Sequence, residues 1–289
     1  MNEHGKLYVV ATPIGNLGDI SYRAVETLRR VDLIAAEDTR HFKTLLQHYG
    51  INQKVISLHQ HNEERVSAEL LEKLRAGLSV ALVSDAGTPL VSDPGMPLVR
   101  RVKDAGIEVS PLPGACALIA ALSAAGLPTA RFAFEGFAPR TSAERKSFFK
   151  SKAASPDTWI FYESCHRVLA SLQDMSEVLP KDRLVVIARE LTKLHETIVK
   201  TTLAEARVLV ESDQNMQKGE FVIIVEGAPK EAHQVEITDQ QKKVLGILLQ
   251  QCSIKTAVAL AVEITGARKK ALYQAALALD QVKANDEGR

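Results

Sequence analysis

The sequence predicts an α/β protein, and three observations lead there. Short uninterrupted apolar runs alternate with segments of helical period through the first half of the chain. The same alternation resumes after a short break and runs to about residue 228, and beyond it the pattern is wholly helical. Apolar runs without polar alternation mark strands covered on both faces. Strand–helix repetition at this spacing implies a mainly parallel sheet flanked by helices. The expected organisation is an α/β domain over residues 1–125, a second over 126–230, and a small all-helical domain over 235–289.

The strands of the first domain read LYVVAT (7–12), LIAAE (33–37), VISLH (55–59), VALVS (80–84) and EVSPLP (108–113). Between them, SYRAVETLRRVD puts Ala24, Val25, Leu28 and Val31 on one helical face. PLVRRVKDAG does the same with Leu98, Val102 and Ala105, and Gly106 ends that helix. The second domain supplies FAFEGF (132–137), TWIFYE (158–163), LVVIARE (184–190) and EFVIIVEG (220–227). GAPKEAHQ (227–234), polar with Gly and Pro, reads as a linker. In the tail, Ser253 is the expected N-cap of SIKTAVALAVEITG, Gly266 breaks the pattern and ARKKALYQAALAL resumes it. Two helices around a glycine turn read as a helix-turn-helix or as a plain helical hairpin.

Composition narrows the function classes. A chain of 289 residues has room for two domains and a small third. Its 46% apolar and 25% charged residues are those of a soluble globular protein. A formal charge of +1 excludes a strongly basic nucleic-acid coat and leaves room for local basic faces. Cys116, Cys165 and Cys252 are far apart without a CxxC pair, which argues against a disulfide framework or zinc knuckle and fits a reducing interior. MNEHGKLYVV enters a strand without a signal peptide. No apolar run approaches the roughly 20 residues of a membrane span, so a cytoplasmic location is expected.

In an open parallel sheet, ligands bind beyond the carboxyl ends of the strands. The loops at that edge are TPIGNLGDIS (12–21), EDTRH (37–41), SDAGTPLVSDPG (84–95) and PGACA (113–117), all rich in Gly, Pro or Asp. Gly15 and Gly18, with Glu37 or Asp38 some way on, suggest a dinucleotide site. However, Pro13 stands where the first glycine of that fingerprint belongs, and its fixed φ and missing N–H suit a rigid wall. Asp85 can accept both hydroxyls of a ribose, or cap a turn, and Gly87 lets the backbone approach a base edge. Asp93-Pro94, together with Pro97, is expected to set the start of the next helix. His59 and His61 would share a strand face and raise zinc binding, with His41 the nearest further donor. No metal is expected; His61, Asn62 and Glu63 read as substrate-side or helix-capping residues.

TPIGNLGDIS, DLIAAEDTRH, HQHNE, SDAGTPLVSDPG, IFYESCHR and ARELTKLHE, in this order, resemble the bacterial 16S rRNA (cytidine-2′-O)-methyltransferase family. That family lies within the tetrapyrrole methylase-like, class III S-adenosylmethionine-dependent enzymes, and the resemblance covers essentially the whole chain. SDAGTPLVSDPG and AEDTRH together are specific; either alone is not. The resemblance implies two α/β domains with S-adenosylmethionine in the cleft between them, and a homodimer. It implies methylation of the ribose 2′-hydroxyl of a cytidine in the decoding region of 16S rRNA, on the small ribosomal subunit.

Carried over residue by residue, the cofactor pocket would fall on Pro13, Asp85, Gly87, Thr88, Ala115, Cys116, Tyr162 and Ala188. Asp85 is followed by Ala86 where the wider superfamily often has Gly-Asp-Pro. Ala115-Cys116 replaces Pro-Ser or Pro-Cys, so the contact there is expected through the backbone. Glu37, Asp38 and Lys193, with His195 nearby, are the expected bases and orienters. In that scheme EDTR binds the nucleotide, and Lys193 or a carboxylate beside it takes the proton. Arg40, His61, Asn62 and Arg189 would meet the substrate. The basic run PRTSAERKSFFKSK (139–152) and the tail residues Arg268, Lys269 and Lys270, beside Tyr273, would contact RNA. Plain salt-bridge, solvated-loop or helix-face roles stay open for all of these. A precorrin-type tetrapyrrole methylase is the alternative enzyme, and a nucleotide-sensing regulator that binds DNA is the alternative outside enzymes.

Overall fold

Five strands, β1 (Lys6–Val10), β2 (Leu33–Ala36), β3 (Val55–Ser57), β4 (Val80–Val83) and β5 (Glu108–Leu112), form the first sheet of the computed structural model, which describes residues 5–229 and 237–286. Their order is β3-β2-β4-β1-β5 and every pairing is parallel. All residues of β2 and β4 are buried, as their unbroken LIAA and VALV runs require of strands covered on both faces. Helices α1 (Tyr22–Arg30) and α2 (Thr39–His48) cover one face, with Ala24, Leu28, Phe42 and Leu46 on Val10 and Ile34. Helices α3 (Glu63–Arg75) and α4 (Met96–Asp104) cover the other, with Leu70, Leu98 and Val102 on Leu7, Ala35 and Leu82. The connections from the adjacent strands β1 and β4 thus leave toward opposite faces, which opens a crevice between them at the carboxyl edge.

The chain then forms α5 (Ala117–Ala124) and a second sheet of β6 (Phe132–Phe137), β7 (Thr158–Ser164), β8 (Leu184–Arg189), β9 (Thr197–Thr202) and β10 (Glu220–Val225). Here the order is β6-β7-β10-β8-β9; only β6 and β7 run parallel. Helices α6 (Ser142–Lys152), α7 (Val168–Val178) and α8 (Leu203–Ser212) cover one face around Phe149, Trp159, Phe161, Leu172 and Leu203. The other face receives α5, whose Leu118, Ala121 and Leu122 pack on Ile160, Val186, Val222 and Ile224. Ile14 and Val91, from loops of the first sheet, reach the same cluster. Both sheets therefore lie in one unit, Met1–Gly227, apart from a second unit, Ala228–Arg289.

Strand β9 escaped the sequence reading, because TIVKTT alternates half-buried and exposed positions on a sheet edge and has little apolar signal. Strand β3 stops at Ser57, so His59 and His61 sit in a turn rather than on a strand face. Helix α4 is capped by Gly95 in the left-handed region at φ 117°, with Pro97 in its first turn, so Asp93 is not its cap.

The helical unit contains α9 (Asp239–Leu248), α10 (Ile254–Thr265) and α11 (Lys269–Asp286) around Leu245, Val258, Ala261, Leu272 and Ala276. The Ser253 side chain caps α10 by accepting from the Thr256 N–H, and Gly266 at φ 66° ends it. Most of the expected linker, from residue 230 on, lies outside the described residues. No described helix is long and apolar enough to cross a membrane.

Candidate active site

Specific bonds join the loops at the carboxyl edge of the first sheet. Thr12 N–H donates to the Gly87 carbonyl at 2.8 Å, and Gly87 N–H returns to the Thr12 carbonyl at 3.0 Å. Gly87 holds φ +83°, and a Cβ there would stand 3.3 Å from Ile14 Cγ2, so glycine answers both the turn and the close approach. The Thr88 hydroxyl donates to the Ala115 carbonyl at 3.1 Å, tying in the loop after β5. Asp85 Oδ1 accepts from the Asp38 N–H at 2.9 Å, tying in the loop after β2.

Facing these loops across the crevice are the end of β7, the end of β8 and the β8–β9 hairpin. Together they enclose a cavity of about 420 Å³, a size suited to a small organic ligand. Ile14, Val91, Phe137, Tyr162 and Leu191 give it apolar walls. Phe134 and Phe137 meet the Tyr162 ring edge-on, with centroids 4.8 and 5.6 Å away.

Six of the eight residues expected to hold the cofactor line this cavity: Asp85, Gly87, Thr88, Cys116, Tyr162 and Ala188. Pro13 is buried and its neighbour Ile14 faces the cavity instead. Ala115 takes part only through the carbonyl that Thr88 engages. Sequence reading missed Ile14, Val91, Phe137 and Leu191, since an apolar pocket wall and an apolar core residue look alike in a sequence. It quoted Asp93 but gave it to the helix, whereas the side chain lines the cavity.

The carboxylates here share an unusual electrostatic setting. Burial pushes the Asp93 carboxyl up to about 6, with the Ser84 hydroxyl bond opposing the shift and the Asp85 charge adding to it. Glu37 is also shifted upward, by burial first and then by Asp85 and Asp93. Burial, with neighbouring Cys116 and Asp93, lifts the Tyr162 phenol to about 12 despite an opposing backbone hydrogen bond at Leu118.

Lys193 also lines the cavity, but not as a free amine. Its Nζ lies 2.8 Å from Glu190 Oε1 and 2.7 Å from Glu220 Oε2. Burial pulls its pKa down, yet the two carboxylates outweigh burial and leave it above the ordinary lysine value. A firmly protonated ammonium accepts no proton, so the expectation that Lys193 is the base is corrected. The hairpin that carries it is strained, with Glu190 at φ 50° and Thr192 at φ 66°.

Three further expectations change. Asp38 is the N-cap of α2, accepting from the N–H groups of Arg40 at 2.8 Å and His41 at 3.4 Å. The Arg40 N–H bond above all holds its pKa below the usual carboxylate value, which makes it a poor proton acceptor. Arg189 is buried and donates to the Lys218 carbonyl at 2.6 Å and the His195 carbonyl at 3.1 Å. It ties the β8–β9 hairpin to the residues before β10 from a buried position rather than standing free on the surface. In the run 139–152, Arg145 is buried against Asp174, Lys146 pairs with Glu177 at 2.6 Å and Lys152 with Glu135 at 2.6 Å. Only Arg140 and Lys150 of its five basic residues stay exposed without an ion pair among the described residues, so it is not a continuous basic face.

Arg40 is exposed, 3.5 Å from Asp38. Asn62 clips its turn, accepting from the His59 N–H at 2.8 Å and donating to the Ser57 carbonyl at 3.1 Å. His61 is exposed and edge-on to His59 at 5.9 Å. Among the described residues, no group of three or more His, Cys, Asp and Glu could hold a metal ion. Arg268, Lys269 and Lys270 are exposed around the start of α11.

Comparison with known proteins adds the lineage. Residues 6–207 match the family model described as Tetrapyrrole (Corrin/Porphyrin) Methylases, and residues 235–280 match one described as RsmI C-terminal HTH domain. The chain is 53% identical over 276 residues to ribosomal RNA small subunit methyltransferase I of Escherichia coli O157:H7, covering 96% of each chain. It is 52% identical over 274 residues to the Haemophilus influenzae protein of the same name, covering 95% of this chain and 97% of that one. Uroporphyrin-III C-methyl transferase from Thermus thermophilus, solved with S-adenosyl homocysteine, shares the fold with a TM-score of 0.52. That match has 19% identity and covers 77% of this chain and 97% of the other. Half of all positions shared over almost the entire length leaves one lineage: the chain belongs to the tetrapyrrole methylase family, with the ribosomal RNA small subunit methyltransferase I proteins.

Proposed function

We propose that the protein uses S-adenosylmethionine to methylate the ribose 2′-hydroxyl of a cytidine in the decoding region of 16S rRNA. The observation that carries this reading is the cavity, walled by loops of both sheets and lined by six of the eight residues assigned to the methyl donor. The walls fit such a ligand: Asp85 keeps acceptor capacity beyond its bond to Asp38, Gly87 leaves room where a Cβ would crowd Ile14, and Phe137 and Tyr162 offer ring surface. The near-full-length relatives favour ribosomal RNA as substrate, because their name carries it.

S-adenosylmethionine supplies a methyl group already activated on a sulfonium sulfur. The protein's main task is then alignment, which can contribute up to about 7–11 kcal/mol. Asp85, Gly87, Thr88, Cys116, Tyr162 and Ala188 hold the donor, and Ala115 supports Thr88 from behind. Glu37 and Arg40, after β2, and His61 and Asn62, after β3, face the nucleotide. Lys193, as an ammonium, fixes Glu190 and Glu220 at the opposite wall. Arg268, Lys269 and Lys270 dock the RNA through phosphates. The working form is a cytoplasmic homodimer acting on the small ribosomal subunit.

The test incubates the protein with labelled S-adenosylmethionine and small subunits from a strain lacking the enzyme, then maps the label by mass. A single 2′-O-methyl cytidine in the decoding region is expected. Label on a base, or none on rRNA but transfer to a porphyrinoid, would overturn the reading in favour of the tetrapyrrole substrate that the family model's description names.

A further inference from the structure

We infer that the helical unit grips unpaired RNA by stacking a base on Tyr273, an assignment that deepens the ribosomal RNA reading above and rests on it. Lys269, Tyr273 and Leu277 follow one another along α11 at steps of four residues, so they share one side of the helix. Lys270 lies beside them, three residues before Tyr273. All four are exposed, Tyr273 at 47% and Leu277 at 41%. Leu272 and Ala276, on the other side of α11, pack with Leu245, Val258 and Ala261 in the core of the unit. Long helical side chains lean toward the N-terminus, which carries the Tyr273 ring back toward the turn of Lys269 and Lys270.

Stability alone does not account for this face. The core of the unit closes without the Tyr273 ring. The described residues offer the Tyr273 hydroxyl no hydrogen-bond partner, and they offer Arg268, Lys269 and Lys270 no ion pair. The cations also stand where a helix favours acids. The start of a helix is the positive end of its dipole, yet α11 has no acid in its first turn, whereas α9 has Asp239 there. Like charge gathered at that end opposes folding, and an anionic partner offsets it.

That partner must present negative charge and flat apolar surface together. Unpaired RNA does so: its phosphates meet the cations, and a base lies on the ring while Leu277 extends the apolar strip. Stacking accepts any base, so the face supplies grip rather than choice of sequence. A duplex suits it poorly, because its bases are already stacked and the deep, narrow major groove of A-form RNA does not admit side chains. A second copy of the chain joined through the same face of α11 would bring further cations and no acid among the described residues.

The experiment titrates full-length wild type, Tyr273→Ala, Tyr273→Leu and Tyr273→Trp into a fluorescent single-stranded oligoribonucleotide and a duplex of equal length, at several salt concentrations. Wild type is expected to prefer the single strand. Tyr273→Ala should weaken single-strand binding by about 5–150-fold, the effect of losing one stacked base, and leave duplex binding unchanged. Tyr273→Leu, a good helix former without a ring, should fall with it, and Tyr273→Trp should recover the wild-type affinity. The salt slope should stay the same in all four, because the ring neutralises no phosphate. A single-strand loss below about threefold, an equal loss on the duplex, or wild-type affinity in Tyr273→Leu would each overturn the assignment. So would failure of Tyr273→Trp to bind at an unchanged melting temperature. Sedimentation of Tyr273→Ala as a smaller species than wild type would show that the face joins two copies, and would overturn it as well. Failure of the wild type to methylate small subunits would instead strike the ribosomal RNA reading itself.

Discussion

Replacing Asp174 by Asn isolates one buried charge and asks what it holds in place. Asp174 on α7 and Arg145 on α6 are 8% and 6% exposed at their side chains, with Arg145 Nη2 2.6 Å from Oδ2. Arg145 Nε reaches the same oxygen at 2.8 Å, while Oδ1 accepts the Ser142 hydroxyl at 2.7 Å. The remaining Nη1 donates to the Arg140 carbonyl at 2.7 Å, just beyond the cavity residue Phe137. An amide at 174 keeps the Ser142 bond but leaves the guanidinium unneutralised in a dry site. Breaking a buried pair in this way costs about 3–5 kcal/mol, and the retained hydrogen bond favours the lower end, about 3 kcal/mol. Urea unfolding followed by fluorescence reads this directly, because Trp159 is the sole tryptophan and lies in the same core as Phe149 of α6. The paired replacement Arg145→Met with Asp174→Leu should recover most of the loss, since an apolar pair of similar volume often matches a buried ion pair. A loss below about 1 kcal/mol for Asp174→Asn would mean that water screens the pair as it does on a surface, and would refute the reasoning.

Gly87→Ala puts a Cβ at φ +83° beside Ile14, and the left-handed backbone alone costs about 1–2 kcal/mol. If that strain falls on the bound geometry, donor affinity by calorimetry drops roughly 5–30-fold; an unchanged affinity would remove Gly87 from the pocket. The pKa of Lys193 is raised in the folded state, so its pairing stabilises the fold fully below the ordinary value of 10.5 and is lost as pH climbs through the higher folded value. The stability gap between wild type and Lys193→Met should therefore be constant from pH 7 to 9 and close above 10.5; a gap that closes near neutrality would show that Lys193 titrates there. Replacing Arg268, Lys269 and Lys270 by alanine should lower the salt slope of RNA binding by roughly 2–3, a little under one per phosphate contact. An unchanged slope would place the docking surface elsewhere.

Much of the first sheet could be read from the sequence because its central strands are buried on both faces, and LIAA and VALV cannot be confused with a solvated segment. The loops that gather at its carboxyl edge were legible for the same reason: each follows a recognisable strand. Harder to see was anything decided by a partner distant in the chain. Arg189 and Arg145 look like free cations until the carbonyls and the carboxylate they meet, 29 residues away for both Lys218 and Asp174, are placed beside them. Lys193 suffers the same blindness, since one of its counter-ions lies 27 residues on. Asp93 was hidden differently, behind a proline and glycine that explain themselves as helix-start residues. The edge strand β9 was lost because Thr and Lys on an exposed edge carry little hydrophobic signal.

Because the walls of the cavity are drawn from two separately cored sheets, any molecule seated in it acts as a cross-brace between them. Whatever occupies the crevice must then raise the melting temperature of the whole amino-terminal unit, by about 2.7 kcal/mol of added stability at a hundredfold excess over its dissociation constant. Heat resistance thus becomes a label-free gauge of occupancy, able to rank donors, products and inhibitors without any ribosome in the tube.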